Sequence, residues 1–156
     1  MPGETPDEIW PTVCLVGSDL HLEMLRRIKM AETNKAIVER INASLAKGDY
    51  ETFLAACADD MQWTIVGEPP IKGKEAIRQF IASMTKENPE PPQFTVDTVF
   101  GEGEFVASHG PMKMKDKEGK LGSYRYCDIF RFSGGKVVEQ TSYVVKTEAQ
   151  AKATGA

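Results

Sequence analysis

The run from Ser123 to Val145 constrains this chain more than any other, because it reads as two β-strands joined by the tight turn Ser133-Gly134-Gly135. Side chains alternate between the two faces of a strand. Tyr124, Tyr126, Asp128, Phe130 and Phe132 therefore share one face, and Arg125, Cys127, Ile129 and Arg131 share the other. The first face is aromatic apart from Asp128. A carboxylate in such a setting costs free energy unless it is paired or made neutral by a raised pKa. Two readings follow: an acid held by a neighbouring arginine or backbone amide, or an acid in a pocket.

Upstream of this hairpin the apolar period changes from two to about 3.6. Thr33 or Asn34 can cap a helix carrying Ile37, Val38, Ile41 and Leu45, which Gly48 stops. Asp49 can cap a second, with Tyr50, Phe53, Leu54 and Cys57 on one stripe, and Gly73 opens a third with Ile77, Phe80, Ile81 and Met84. Each stripe needs an apolar surface to cover it. Strands predicted at 61–66, 94–100, 104–115, 121–132 and 136–146 supply that surface. Helices followed by an antiparallel meander form an α+β pattern, with the helices on one face of a curved sheet. At 156 residues the chain suits one such domain. Its expected span is 30–147. Residues 1–29 are an extension whose short helix starts at Ser18 and carries Leu20, Met24, Leu25 and Ile28, with Glu23 pairing Arg27. Residues 148–156 are a flexible tail.

A net charge of −4 gives no basic footprint for nucleic acid. The cluster Lys113, Lys115, Lys117, Lys120 is interrupted by acids and reads as a solvated hairpin tip. No apolar run approaches the roughly 18 residues that span a bilayer, and the N-terminus lacks the pattern of a signal peptide. The cysteines, Cys14, Cys57 and Cys127, are odd in number and far apart, which suits free thiols in a cytoplasmic setting. No Cys/His or carboxylate cluster has metal-ligand spacing, and Gly101-Glu-Gly103 does not precede a helix as a phosphate loop would. Neither metal nor cofactor is expected.

Four segments taken together are more specific. Ala46-Lys-Gly-Asp49, Cys57-Ala-Asp-Asp-Met-Gln-Trp63, Gly73-Lys-Glu-Ala-Ile-Arg-Gln-Phe80 and Asp128-Ile-Phe-Arg-Phe-Ser-Gly-Gly-Lys136 resemble the SnoaL-like branch of the NTF2-like superfamily. The last of them looks especially like the ketosteroid isomerases. The resemblance runs over about residues 33–146. It implies an NTF2-like (cystatin-like) cone-shaped barrel, in which three N-terminal helices pack on a curved, mostly antiparallel sheet around an apolar pocket. It also implies a small apolar molecule as ligand and a homodimer formed through the sheet. The family includes isomerases, cyclases, epoxide hydrolases and dehydratases, and members with no chemistry. Asp128 matches the oxyanion-hole acid of the isomerases, but their general-base position falls on Ile65 and their tyrosine position on Ile41. An epoxide-hydrolase carboxylate position falls on Ser142. Standard steroid isomerisation is therefore not expected.

The residues offer another constellation. With a hairpin turn at Lys117–Gly119, His109 lies opposite Tyr126 or Asp128, and either register puts it on the face of Asp128. An imidazole oriented by a carboxylate is a workable general base. His109, Asp128 and Tyr126 are the expected catalytic group, and Trp63, Ile65, Phe130, Gln140 and Ser142 the expected ligand contacts. Gly110-Pro111 is the weak point, because a bulge there would change the parity. Three functions stay open: an acid–base enzyme, a non-catalytic binder of a small hydrophobic ligand, and a dimerisation or interaction domain with a vestigial pocket.

Overall fold

The structure, a computed structural model, describes residues 14–115 and 118–147, with side chains from Asp19 onward. It begins with α1, a single helix over Cys14–Leu45. At ~1.5 Å per residue this rod is about 48 Å long. The break expected near residues 29–34 is absent from it. Between Asp19 and Leu45 the chain holds neither glycine nor proline, so nothing interrupts the hydrogen-bond ladder. The residues read as caps have other partners. The Thr33 hydroxyl donates back to the Lys29 carbonyl at 3.0 Å, and the buried Asn34 amide reaches the Gly103 carbonyl at 3.3 Å.

The chain turns at Gly48, whose φ of 77° suits glycine. Asp49 then caps α2, Tyr50–Ala56, accepting from the Thr52 amide at 3.2 Å. Cys57 does not extend this helix, as its spacing suggested, but starts β1, Cys57–Ile65. After β2, Ile71–Lys72, Gly73 opens α3, Lys74–Glu87, as expected. The remaining strands are β3, Gln93–Phe94; β4, Thr98–Glu102; β5, Phe105–Lys115; β6, Leu121–Ser133; and β7, Lys136–Lys146. The strand expected at 94–100 is thus two short pieces. Both pair with β5, and the amides of Thr95 and Asp97 between them donate to the carbonyls of Pro111 and His109. Gly110 permits this close pass, since a Cβ there would lie 2.0 Å from the Thr95 carbonyl oxygen.

The sheet order is β2-β1-β7-β6-β5-β3, with β4 also on β5. Every pairing is antiparallel except that of β1 with β7. β6 and β7 turn through Gly134 and Gly135, both with positive φ, as a two-residue hairpin requires. All three helices cover one face of the sheet. Val38 and Ile41 of α1, Phe53 and Leu54 of α2, and Ile77 and Ile81 of α3 close over Met61, Val106, Phe130, Phe132 and Val137. This is the α+β, NTF2-like arrangement of helices on an open, curved sheet. No helix among the described residues is both long and apolar enough to cross a membrane. The tail at 148–156 lies outside the described residues.

Candidate functional site on the helix-covered face

The strand register gathers most of the expected site residues into two adjacent rows. One row crosses the sheet as Ser108, Asp128, Ser142 and Ile65, and the next as Val106, Phe130, Gln140 and Trp63. Tyr126 follows on the same face of β6. Asp128, Tyr126, Phe130, Gln140, Ser142, Trp63 and Ile65 therefore share the inner face.

His109 does not. It pairs directly with Cys127, while Ser108 pairs with Asp128, so His109 sits on the opposite face of the sheet. Pairing ends at Lys115 and Leu121, and the connection 116–120 has an odd number of residues. The three-residue turn expected at Lys117–Gly119 is also odd and pairs His109 with Cys127; the registers opposite Tyr126 or Asp128 need an even connection, and a one-residue change moves every side chain to the other face. Gly110-Pro111 is not the cause, because the β5–β6 register runs through it without a shift.

Asp128 anchors a polar cluster. Ser142 Oγ accepts from Trp63 Nε1 at 2.9 Å and from Gln140 Nε2 at 3.2 Å. With both lone pairs used, its single proton goes to Asp128, and Gln140 Nε2 donates to the same carboxylate. The residue keeps some accessible surface, but the carboxyl group itself is enclosed. Burial raises its pKa from 3.8 to about 6, and the Ser142 and Gln140 hydrogen bonds hold it from rising further. Gln140 Oε1 is the one buried side-chain polar atom among the described residues without a hydrogen-bond partner. Turning the amide over would not help. Its Nε2 would lose Ser142 and Asp128, and the Ser142 proton would have to leave the carboxylate.

Trp63 is held by edge-on contacts, 6.0 Å from the Phe53 ring and 5.6 Å from that of Phe80. Tyr126 belongs to a different chain of bonds, which sequence reasoning missed. Asn42 of α1 donates to Ser108 Oγ at 2.9 Å, Ser108 bonds the Tyr126 hydroxyl, and that hydroxyl donates to the Thr95 carbonyl at 3.2 Å. The Tyr126 proton is thus already engaged, and burial raises its pKa. The strand period would have exposed Ser108, once His109 was placed outward. Cys57 is buried and free, its thiol pushed up to about 12 by burial, and Cys127 is free and half-buried. Among the described residues no group of His, Cys, Asp and Glu could hold a metal. Two surface grooves, of about 400 and 310 Å³, flank α1; neither is lined by Asp128, Gln140 or Ser142.

The SnoaL-like domain family model matches residues 38–140, more than half of the chain. The chain belongs to the SnoaL-like family. An NTF2-like protein of unknown function from Cytophaga hutchinsonii is 28% identical, with a TM-score of 0.60 over 71% of this chain and 98% of its own. A protein from Jannaschia sp. CCS1 named as a SnoaL-like polyketide cyclase is 15% identical, with a TM-score of 0.65 over 74% and 87% of the two chains. An LEH-like epoxide hydrolase of M. tuberculosis is 17% identical, with a TM-score of 0.60 over 73% and 84%. The last two likenesses speak for the SnoaL-like fold alone. No curated protein matches the chain.

Proposed function

We propose that this SnoaL-like protein takes a small apolar molecule against the inner sheet face and moves a proton on it with Asp128. The observation that carries the reading is the carboxyl of Asp128, enclosed, with a pKa of about 6, and oriented by Ser142 and Gln140. A carboxylate with that pKa is mostly ionised at neutral pH yet basic enough to abstract a proton from carbon or oxygen. Gln140 Oε1 is an unfilled acceptor beside it, open to a donor on a ligand that carries one. Trp63, Ile65 and Phe130 are the proposed apolar walls. His109 is assigned no part, being on the other face. The reaction class is proton transfer without a cofactor, of the kind an isomerase, cyclase, hydrolase or dehydratase performs. The free thiols Cys57 and Cys127 suit a cytoplasmic protein.

A second reading, binding without turnover, draws support from the engaged proton of Tyr126, which leaves Asp128 without a partner acid. Partnership with a second copy through the outer sheet face belongs to either reading. Phe100, Phe105, Ile129 and Tyr143 are exposed large apolar residues, and Ile129 and Tyr143 lie on that face.

The test uses 2-tetralone, a flat ketone with acidic α-hydrogens, whose exchange in D2O is followed by NMR. Acceleration of about 10²-fold or more over buffer is expected. The rate should rise with pH about a midpoint near 6 and vanish in Asp128→Asn. Binding without acceleration would favour the second reading. Neither binding nor acceleration would sink the pocket reading in both forms.

A further inference from the structure

The first half of α1 carries none of the core or site residues. Leu20, Leu22, Met24, Leu25, Ile28 and Met30 all stand on it, between 37% and 70% exposed. At about 100° per residue, Leu20, Met24 and Ala31 continue the line of Val38, which is fully buried against the sheet. The sheet runs out beneath this line. Ala31 and Arg27 pass over Gly101 and Gly103 at the end of β4, and N-terminal to them Leu20 and Met24 are largely exposed. A core stripe has therefore been extended past its core on a helix with no internal break.

The charges beside the stripe are ordered. Asp19 and Glu23 come first along the helix, then Arg26 and Arg27, and all four project on the same flank. The expected Glu23–Arg27 pair is not formed, and none of the four takes part in an ion pair among the described residues. Two such helices side by side in parallel would set this flank against the other flank of the second helix, which carries His21 and Leu25, and leave the four charges unpaired. Turned antiparallel about Met24, they bring the acids of one against the arginines of the other, and Leu20 of each against Ile28 of the other. The helix is complementary to itself in one orientation only.

We propose that residues 19–30 of α1 form an antiparallel interface with the same segment of a second copy of this chain. Leu20, Met24 and Ile28 make the seam, and Asp19 and Glu23 bond Arg26 and Arg27 across it. The inference does not rest on the function of the Asp128 site, nor on contact through the outer sheet face.

Mass in solution, measured on the full chain by light scattering, tests it. Leu20→Glu with Ile28→Glu should reduce the mass at least twofold, with the circular dichroism of the fold retained. Two charge variants make the test specific. Asp19→Lys with Glu23→Lys, and Arg26→Glu with Arg27→Glu, should each lose the association alone. Mixed in equal amounts they should recover it as a heterodimer, and Ile129→Glu in both chains should leave that recovery intact. An unchanged mass in the Leu20/Ile28 variant, or no assembly on mixing folded charge variants, would overturn the proposal.

Discussion

Replacing Asp128 by asparagine should change stability in a way that depends on pH, and the size of the change follows from the site. Burial raises the Asp128 pKa from 3.8 to about 6. Between those values the folded protein binds more protons at this group than the unfolded chain does, so stability falls as pH rises through the window. Below 3.8 the carboxyl is neutral in both states and costs nothing. Above about 6 it is ionised in both, and the full penalty is present. The gap from 3.8 to about 6, at ~1.4 kcal/mol per pH unit, amounts to about 3 kcal/mol. Asparagine removes that penalty but leaves one carbonyl oxygen to accept from both Ser142 and Gln140, a loss that does not vary with pH. The sign of the variant's effect at any one pH is therefore not diagnostic; its drift is. Urea unfolding of both proteins from about pH 4 to about pH 7.5 should show the difference moving by about 2–3 kcal/mol in favour of the asparagine variant at the high end. A difference constant across that range would refute the raised pKa, and with it the reasoning that makes Asp128 a base.

Other perturbations read the surrounding geometry. Trp63 emission, followed in a Trp10→Phe background, should titrate with a midpoint near 6, because its indole shares Ser142 with Asp128. His109→Ala should leave that midpoint unmoved, as the imidazole is on the other face; a displaced midpoint would contradict the β5–β6 register. Ser142→Ala should cost about 1–3 kcal/mol in urea unfolding and move the midpoint upward, since it strands the Trp63 N–H and removes a donor to the carboxylate. Gly110→Ala should cost about 1–3 kcal/mol or more, because its Cβ would meet the Thr95 carbonyl. Hydrogen exchange should quicken at the Thr95 and Asp97 amides, and unaltered protection there would count against the close pass.

How much of this was legible in the sequence depended on whether the signal was continuous. Within β6 the period-two pattern is unbroken, so Tyr126, Asp128 and Phe130 could be put on one face from the sequence. The short Gly134-Gly135 turn carried that parity across to Gln140 and Ser142. His109 lies beyond the 116–120 connection, where a three-residue turn at Lys117–Gly119 already sets it opposite Cys127; only an even connection would put it on the face of Asp128. The continuity of α1 was hidden for a different reason. Thr33 and Asn34 are good caps when exposed backbone amides need them, but Asn34 is spent on the Gly103 carbonyl, a contact between residues far apart in the chain. The relay from Asn42 through Ser108 to Tyr126 is equally non-local. No spacing rule could have shown it.

The buried polar groups divide in a way that locates the site independently of any likeness to other proteins. Asn34, Asn42, Ser44 and Ser108 are all buried and all bonded, and they tie α1 to the sheet or close its last turn. Nothing in that set opposes folding. The row through Asp128 differs. Its carboxyl is held enclosed at the cost of a raised pKa, and its neighbour Gln140 carries an acceptor with no donor. Apolar residues at both positions would remove those penalties, as Ile65 and Phe130 beside them illustrate. Buried groups left in conflict with the fold are expected where chemistry needs them. Here the two conflicts adjoin each other, on the face the helices cover, and Ser142 is bonded to both residues. Gln140→Met removes the unpaired acceptor but also the Nε2 donor to Ser142 and Asp128, so a structural role for the cluster would predict a change in stability that leaves 2-tetralone exchange untouched. The functional role predicts that change together with an upward move of the exchange midpoint, because a donor that holds the Asp128 pKa down is gone.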